Sequence, residues 1–114
     1  LRVQLVVGVF GGVGNAIEDL IAMAQTAQRL LGDDLGALGV AATGFPMEFR
    51  CAATALSWGM DCRVGLEDNL RVRRGVEAES NADLVTVATS LAELVGRPVA
   101  TPDQLRAELG PWRT

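Results

Sequence analysis

The stretch Val3-Gln4-Leu5-Val6-Val7-Gly8-Val9 decides the fold, because it is rich in β-branched residues and almost continuously apolar. A strand with one face in water alternates apolar and polar side chains, whereas continuous apolarity is typical of a strand covered on both faces. Such coverage belongs chiefly to parallel sheets flanked by helices. The stretch therefore predicts a buried strand of a parallel sheet.

Two further strands and four helices are predicted downstream. Residues Ala37–Ala42 form a small-residue strand, and Asp61–Glu67 alternates strictly between its two faces. Apolar residues recur at helical spacing between and after the strands. The order β-α-β-α-β-α, followed by one extra helix, predicts an α/β fold with a parallel sheet. The helices are predicted at 17–31, 46–58, 81–95 and 102–109.

The ends of the predicted helices carry their own signals. Asn15, with Glu18 three residues later, predicts a capping box before the first helix, and Gly32 is placed to end it. Ser80 predicts the N-cap of the third helix. The run Thr101-Pro102-Asp103-Gln104 predicts an N-terminal box before the last one.

Three parallel strands alone leave part of the sheet uncovered. Right-handed crossovers place successive helices on one face only, and both sheet edges stay unpaired. A closed eight-stranded barrel solves both problems but takes about 250 residues, and this chain has 114. We therefore predict that residues 1–114 are the C-terminal three βα units of a (β/α)8 TIM barrel, plus a short extra helix, with the N-terminal part of the domain absent.

Composition excludes several classes of protein. The net charge of −4 argues against nucleic-acid binding, and no apolar run reaches the ~18 residues of a membrane span. The absence of histidine excludes a Ser-His-Asp triad or a histidine metal site within the chain. Cys51 and Cys62 do not make a disulfide framework, so buried thiols and a cytoplasmic location are expected. Trp58 and Trp112 are expected to be packing residues.

A glycine-rich turn follows the first strand. In Gly8-Val9-Phe10-Gly11-Gly12-Val13-Gly14, backbone N–H groups ahead of a helix could cradle a phosphate, as in a dinucleotide site. The third glycine of that fingerprint and the acidic residue at the end of the second strand are both missing. A tight strand-to-helix turn is the favoured interpretation.

Charge concentrates between Asp61 and Glu79, where nine of nineteen positions are charged against 21% of the whole chain. A solvated loop explains the part from Arg71 onward. It does not explain Arg63, which lies between apolar side chains inside the predicted third strand. This stretch therefore contains the strongest candidate for a functional site.

Strand alternation places Arg63, Gly65 and Glu67 on one face. In a barrel this face points inward, and Glu67 then lies at the carboxyl end of the strand, where barrel enzymes have their active sites. Gly65 would leave space between the two charged side chains. A buried arginine needs a partner. The grouping of Arg63, Glu67 and Asp68 leaves two interpretations open. One is a site that binds a metal or an anionic substrate, and the other is an internal salt bridge without chemistry.

The run Cys62-Arg63-Val64-Gly65-Leu66-Glu67-Asp68-Asn69-Leu70 resembles the signature of the β-keto acid cleavage enzymes. Arg74-Gly75 with Ala78-Glu79-Ser80-Asn81-Ala82 agrees with the same family, and so does Gly96-Arg97 with Val99-Ala100-Thr101-Pro102. The opening strand and Gly11-Gly12 fit less specifically. The resemblance extends over nearly the whole chain.

The resemblance implies a (β/α)8 barrel with one zinc ion. Such an enzyme converts a β-keto acid and acetyl-CoA into acetoacetate and a new CoA thioester by a retro-Claisen-type cleavage. Glu67 matches the family's glutamate ligand of zinc, and Arg63 and Asp68 match its catalytic arginine and aspartate. Because the two histidine ligands belong to the N-terminal half, we expect this segment alone to be inactive. The implied partners are small molecules, with no nucleic acid, no membrane and a possible homo-oligomer.

Two other interpretations stay open. A half-barrel that pairs with another chain, or a degenerate homologue, would be a non-catalytic module. The glycine-rich turn leaves a nucleotide-binding α/β domain as a further alternative. Two histidines in an H-x-H arrangement at an upstream strand end would favour the enzyme.

Overall fold

The computed structural model describes residues 1–110, so the prediction for Trp112 lies outside the described residues. No helix in that range is both long and apolar enough to cross a bilayer. The strands are β1 (Arg2–Val7), β2 (Ala37–Ala42), β3 (Asp61–Arg63), β4 (Arg71–Arg73) and β5 (Val76–Glu77). The helices are α1 (Ile17–Leu31), α2 (Met47–Ser57), α3 (Asn81–Leu94) and α4 (Pro102–Leu109), with a short 3-10 turn at Gly32–Asp34.

The first three strands form a parallel sheet in the order β1-β2-β3. Its register sets Val6, Ala41 and Arg63 side by side across the three strands. The predicted α/β fold with a parallel sheet is confirmed, and β2 has the predicted bounds. β1 ends earlier than predicted because Gly8 takes a positive φ of 83°, which breaks the extended chain.

The hydrophobic core lies on one face of the sheet, beneath α1 and α2. Alternate residues of a strand point to the same face, so β1 and β2 each supply every second side chain to this core. Cys51 is buried and Cys62 half-buried, both as free thiols, whereas Trp58 is half-exposed and packs only in part. The core includes Leu5, Val7, Leu20, Ala24, Leu38, Val40, Ala42, Cys51, Ala55 and Met60.

The opposite face of the sheet, which we call the open face, carries the row Val6, Ala41 and Arg63. Val6 is 40% exposed on this face, whereas its neighbour Val7 is completely buried on the other. The coverage of both faces predicted for β1 is not present within residues 1–110. The reason is that successive right-handed crossovers bring α1 and α2 to the same side.

β3 is shorter than the predicted strand Asp61–Glu67. It ends at Arg63, and the chain then turns so that the carbonyl of Gly65 accepts hydrogen bonds from the N–H groups of Asp68 (3.0 Å) and Asn69 (3.1 Å). The alternation argument therefore holds for Arg63 and is wrong for Gly65 and Glu67. These local turn bonds replace the sheet partners that a longer strand would need.

A small antiparallel hairpin, β4 and β5, lies where the sequence predicts a charged loop. Arg71 pairs with Glu77 and Arg73 with Val76. The two-residue turn between them needs a left-handed backbone, which Gly75 supplies with a φ of 76°. Strands of two or three residues are too short for alternation to predict them.

The start of α1 differs from the prediction. Its N-cap residue is Ala16, without a side-chain cap, and the helix begins at Ile17. The amide of Asn15 donates instead to the carbonyl oxygen of Thr43 at 2.9 Å. The capping box predicted from Asn15 and Glu18 is therefore wrong, because a tertiary acceptor competes with the helix end.

The starts of α3 and α4 and the end of α1 follow their sequence signals, whereas α2 (Met47–Ser57) is one residue shorter at each end than predicted. The carboxylate of Asp83 accepts a hydrogen bond from the backbone of Ser80, the predicted N-cap of α3. Thr101 and Gln104 exchange two side-chain bonds, of 2.8 and 3.2 Å, at the start of α4. Gly32 follows the last residue of α1.

Candidate active site

The carboxyl ends of β1, β2 and β3 bring Gly8, Thr43 and Arg63 to one edge of the sheet. The hydroxyl of Thr43 donates to the carbonyl of Gly8 at 2.6 Å and ties the first two strand ends together. A Cβ on Gly8 would lie 2.5 Å from that hydroxyl oxygen, so no larger residue fits. In parallel α/β folds, ligands bind outside this edge.

The glycine-rich turn after β1 is bonded within itself. Gly8 N–H donates to the carbonyl of Val13 at 2.8 Å, and Gly12 N–H donates to that of Val9 at 2.9 Å. Two of the donors that a phosphate would need are therefore already used. This favours the interpretation of a tight strand-to-helix turn over a dinucleotide site.

Arg63 and Asp68 form an ion pair at the edge. Nη2 of Arg63 donates to both carboxylate oxygens of Asp68, at 3.2 and 3.0 Å. The Asp68 side chain is only 6% exposed, whereas that of Arg63 is 44% exposed. The aspartate is therefore enclosed, and the guanidinium it holds faces outward.

Glu67 lies beside this pair without closing on it. Its carboxylate is 4.0 Å from Nη2 of Arg63, at the limit of an ion pair, and its side chain is 84% exposed. The salt bridge that the sequence left open as an alternative is therefore the weaker of the two pairs of Arg63. The three predicted site residues come together, with the Glu67 carboxylate free to take another partner.

Residues 64–70, which we call the site loop, are held from two other elements. Leu66 N–H donates to the side-chain oxygen of Asn81, at the start of α3, at 2.8 Å. Gly44 N–H, from the turn after β2, donates to the carbonyl of Asp68 at 2.8 Å. A Cβ on Gly65 would lie 3.3 Å from the same Asn81 oxygen, so the open space predicted at Gly65 is not there.

Glu48, near the start of α2, is a site residue that the sequence analysis missed. Its side chain is fully buried, and its two oxygens accept hydrogen bonds from Gly65 N–H (3.0 Å) and from the amide of Asn69 (2.8 Å). Burial raises the pKa of Glu48 above its ordinary value of 4.5, while the bonds from Asn69 and Gly65 oppose that shift. Helical spacing to the buried Ala52 and Ala55 is the signal that could have indicated its burial.

Asn69 connects Glu48 to the hairpin. Besides its bond to Glu48, its amide donates to the carbonyl of Arg71 at 2.7 Å, and Arg71 N–H donates back to the Asn69 side-chain oxygen at 2.9 Å. Asn69 is buried and uses both ends of its side chain. Helix α2, the site loop and β4 are therefore joined through one side chain.

A hollow of about 360 Å³ lies between the site loop and the turn after β2. Its volume is at the lower end of the range for small-molecule pockets. Apolar side chains line it together with two carboxylates, of Glu67 and Asp68, and one guanidinium, of Arg71. The lining residues are Gly44, Phe45, Leu66, Glu67, Asp68, Asn69, Leu70 and Arg71.

The residues of this chain can supply only part of a zinc site. A catalytic zinc ion takes three protein ligands and keeps one position open. Within residues 1–110 there is no group of three or more histidine, cysteine, aspartate or glutamate side chains placed to hold a metal. The exposed carboxylate of Glu67 fits one ligand of such a site, and the others would have to come from outside these residues.

The fold and this edge define an α/β protein with a candidate small-molecule site at the carboxyl ends of parallel strands. Comparison with known families identifies it further, since the model of the beta-keto acid cleavage enzymes matches residues 1–110. The chain belongs to this family. The resemblance carried by the run from Cys62 to Leu70 is confirmed.

Three curated relatives are similar to nearly the whole chain. The 3-keto-5-aminohexanoate cleavage enzyme of Acetoanaerobium sticklandii is 37% identical over 110 residues, 96% of this chain. The 3,5-dioxohexanoate:acetyl-CoA acetone transferase of Paraburkholderia graminis is 38% identical over 109 residues (94%), and the 3-oxoadipate:acetyl-CoA acetyltransferase of Cupriavidus necator 38% over 110 (96%). The alignments cover 38%, 34% and 38% of these relatives, so the chain spans little more than a third of their length.

Proposed function

We propose that the protein to which this chain belongs cleaves a β-keto acid with acetyl-CoA, using one zinc ion, and releases acetoacetate and a new CoA thioester. The observation that carries the proposal is the grouping of Arg63, Glu67 and Asp68 at the carboxyl edge of the sheet, within the region that the family model matches. The names of two of these three relatives contain acetyl-CoA, which supports it as the co-substrate.

The proposed reaction needs an anion to be stabilised. The bond between the keto carbon and the α-carbon of the β-keto acid breaks, and its electron pair stays with the carboxymethyl carbons. The acyl group becomes the new CoA thioester, and the carboxymethyl carbons leave joined to the acetyl group as acetoacetate. Positive charge fixed in place before the reaction stabilises such a developing anion most effectively.

Arg63 is suited to stabilise this anion. A guanidinium has five N–H donors, and among residues 1–110 the hydrogen bonds of this side chain go from Nη2 to Asp68 only. The Arg63 side chain is 44% exposed, so its remaining donors can bind a carboxylate or an enolate oxygen. Enclosed Asp68 keeps the guanidinium in one orientation, so that little rearrangement is needed when charge develops.

Glu67 is the proposed zinc ligand of this chain. Its carboxylate is exposed and adjoins the Arg63–Asp68 pair, which suits a residue that completes a site with ligands from elsewhere. A zinc ion bound there supplies Lewis-acid polarisation of the keto oxygen. Because one glutamate does not make a zinc site, we expect residues 1–114 alone to lack activity.

The open face supports a larger fold around this chain. Val6 is 40% exposed, and the edges of β1 and β3 have no further strand among the described residues. Two free strand edges and the exposed apolar side chain of Val6 are satisfied when a parallel sheet closes into a barrel. We infer that the chain is the C-terminal three βα units of a (β/α)8 barrel domain, whose remaining strands cover this face.

The proposal is tested with the whole protein and the substrates that its relatives' names contain. Acetyl-CoA is mixed with 3-keto-5-aminohexanoate, 3,5-dioxohexanoate or 3-oxoadipate, and mass spectrometry detects acetoacetate and the new thioester. Formation of both products with bound zinc is expected, and residues 1–114 alone should form neither. A zinc-loaded whole protein that forms no product from any β-keto acid would favour the non-catalytic module.

A further inference from the structure

We propose that Glu48 and Asn69 are positioning residues that fix the site loop, and through it Arg63, Glu67 and Asp68, in the arrangement that the reaction needs. The inference rests on the proposed function, because it concerns the same site. Within the described residues, neither forms a hydrogen bond with the side chains of Arg63, Glu67 or Asp68. Glu48 accepts one bond from the backbone of Gly65 and one from the side chain of Asn69, which itself lies in the loop.

The two bonds of Glu48 bracket the zinc-ligand position. Gly65 and Asn69 each lie two residues from Glu67, one on either side, and each donates to a different oxygen of the Glu48 carboxylate. Asp68 is the residue directly before Asn69. A shift of either bonded point therefore moves both the Glu67 carboxylate and the partner of Arg63.

Glu48 itself cannot move easily. It belongs to α2, whose side chains Cys51 and Ala55 are completely buried in the core on the covered face of the sheet. The carboxylate thus transmits the position of a rigid helix to a loop that has no regular secondary structure. Reacting groups need placement to within a fraction of an ångström, and a 1 Å error costs about 100-fold in rate.

A carboxylate is the group this position requires. Both neighbours, Gly65 N–H and the Asn69 amide, are donors, and a carboxylate offers an acceptor to each. A glutamine of the same size would place its NH2 group against one of the two donors. Glu48→Gln therefore keeps shape and burial while it breaks one of the two bonds.

The experiment compares Glu48→Gln and Asn69→Ala with the wild-type whole protein. Leu56→Ala is the matched control, because Leu56 is a buried residue of the same helix with no bond to the site loop. Three quantities are measured: hydrogen exchange of peptides that cover residues 64–70, bound zinc, and kcat and KM for acetyl-CoA. Asn69→Ala acts from the loop side, so it keeps the test valid if the helix variant does not fold.

We expect both site variants to exchange about tenfold faster in residues 64–70, since each loses hydrogen bonds of the loop. Their kcat should fall about 10- to 100-fold, the usual effect of removing a residue that orients metal ligands without binding the metal itself. The KM for acetyl-CoA should stay within about twofold of the wild-type value. Leu56→Ala should lower stability and leave loop exchange and kcat as in wild type. This difference between the site variants and the control separates a positioning role from a general loss of stability.

Two outcomes distinguish the inference from the function on which it rests. If both variants loosen the loop but retain wild-type kcat and zinc, or leave loop exchange unchanged, the positioning role is wrong while the proposed reaction stands. If the wild type catalyses no β-keto acid cleavage, the proposed function fails. In that case the exchange and zinc measurements still decide whether Glu48 and Asn69 fix the loop.

Discussion

The two faces of the parallel sheet differ in what they do. On the covered face, every second strand side chain packs against α1 and α2, and Val7 is completely buried. On the open face, Val6 and Arg63 remain partly exposed on either side of the buried Ala41. Stability is therefore concentrated on one side of the sheet, and the groups that can react lie on the other side and at its carboxyl edge.

Two glutamates extend this comparison to the site. Glu48 comes from the helix on the covered face and is fully buried with both oxygens bonded, whereas Glu67 is exposed with its carboxylate unused. The first stabilises a backbone arrangement, and the second presents a ligand. The same side chain has different roles because its surroundings differ.

The largest effect on stability is expected on the covered face. Leu20→Ala empties a site in α1 that is completely buried, and such a change costs about 2–5 kcal/mol. Denaturant unfolding of the whole protein measures it, with Leu30→Ala on the exposed side of the same helix as control, expected within about 0.5 kcal/mol of wild type. A stable Leu20→Ala variant with low activity would contradict the assignment of stability to the covered face and of activity to the open face.

A large effect on activity is expected on the open face. Arg63→Ala should lower kcat/KM about 10²- to 10³-fold, the cost of removing one preorganised donor. Stability should also fall, because the enclosed carboxylate of Asp68 loses its partner. Arg29→Ala, at the exposed end of α1, is the control. Product formation by the whole protein is the assay. Retained activity in Arg63→Ala would favour the non-catalytic module.

A smaller effect tests whether the open face is covered in the whole protein. Val7→Ala removes two buried carbons and should cost about 1–2 kcal/mol. If further strands close the barrel, Val6→Ala should cost a similar amount. Thermal unfolding of the two variants side by side gives the answer. A Val6→Ala change below about 0.5 kcal/mol would mean that this face stays in water.

The smallest expected effect is a pH dependence of stability at Glu48. Because burial raises its pKa in the folded protein, the folded state binds this proton more tightly than the unfolded state. The resulting stabilisation is complete below the unfolded value near 4.5 and is lost as the pH rises through the raised folded pKa. The unfolding free energy of wild type minus that of Glu48→Gln should therefore fall as the pH rises. A difference that increases with pH would show that the two hydrogen bonds outweigh burial.

Local signals in the sequence predicted much of the fold. β2, the end of α1 at Gly32 and the Thr101–Gln104 box agree with the structure, because each depends on residues next to one another in the chain. The Asn15 cap was wrong because Thr43, 28 residues away, offers its side chain a better acceptor. Propensity at a helix end does not include such distant partners.

The sequence indicated the three residues of the candidate site, but it did not indicate the hydrogen bonds that hold the site loop. The charge cluster and the family resemblance both pointed to Arg63, Glu67 and Asp68, which the structure brings together. The strand that was expected to carry Glu67 ends at Arg63. Glu48 was passed over because a glutamate in a helix is usually exposed, and only the three-dimensional position of Gly65 and Asn69 explains its burial.

The bonds among Glu48, Gly65 and Asn69 also limit how this sequence can change in evolution. A substitution at position 48 or 69 by itself leaves a buried donor or acceptor without a partner, a state that selection removes. Substitutions at positions 48 and 69 are therefore expected to occur together in the family. Family members that act on different β-keto acids should keep the pair together or replace it together, while the apolar residues that line the hollow, Phe45, Leu66 and Leu70, vary with substrate.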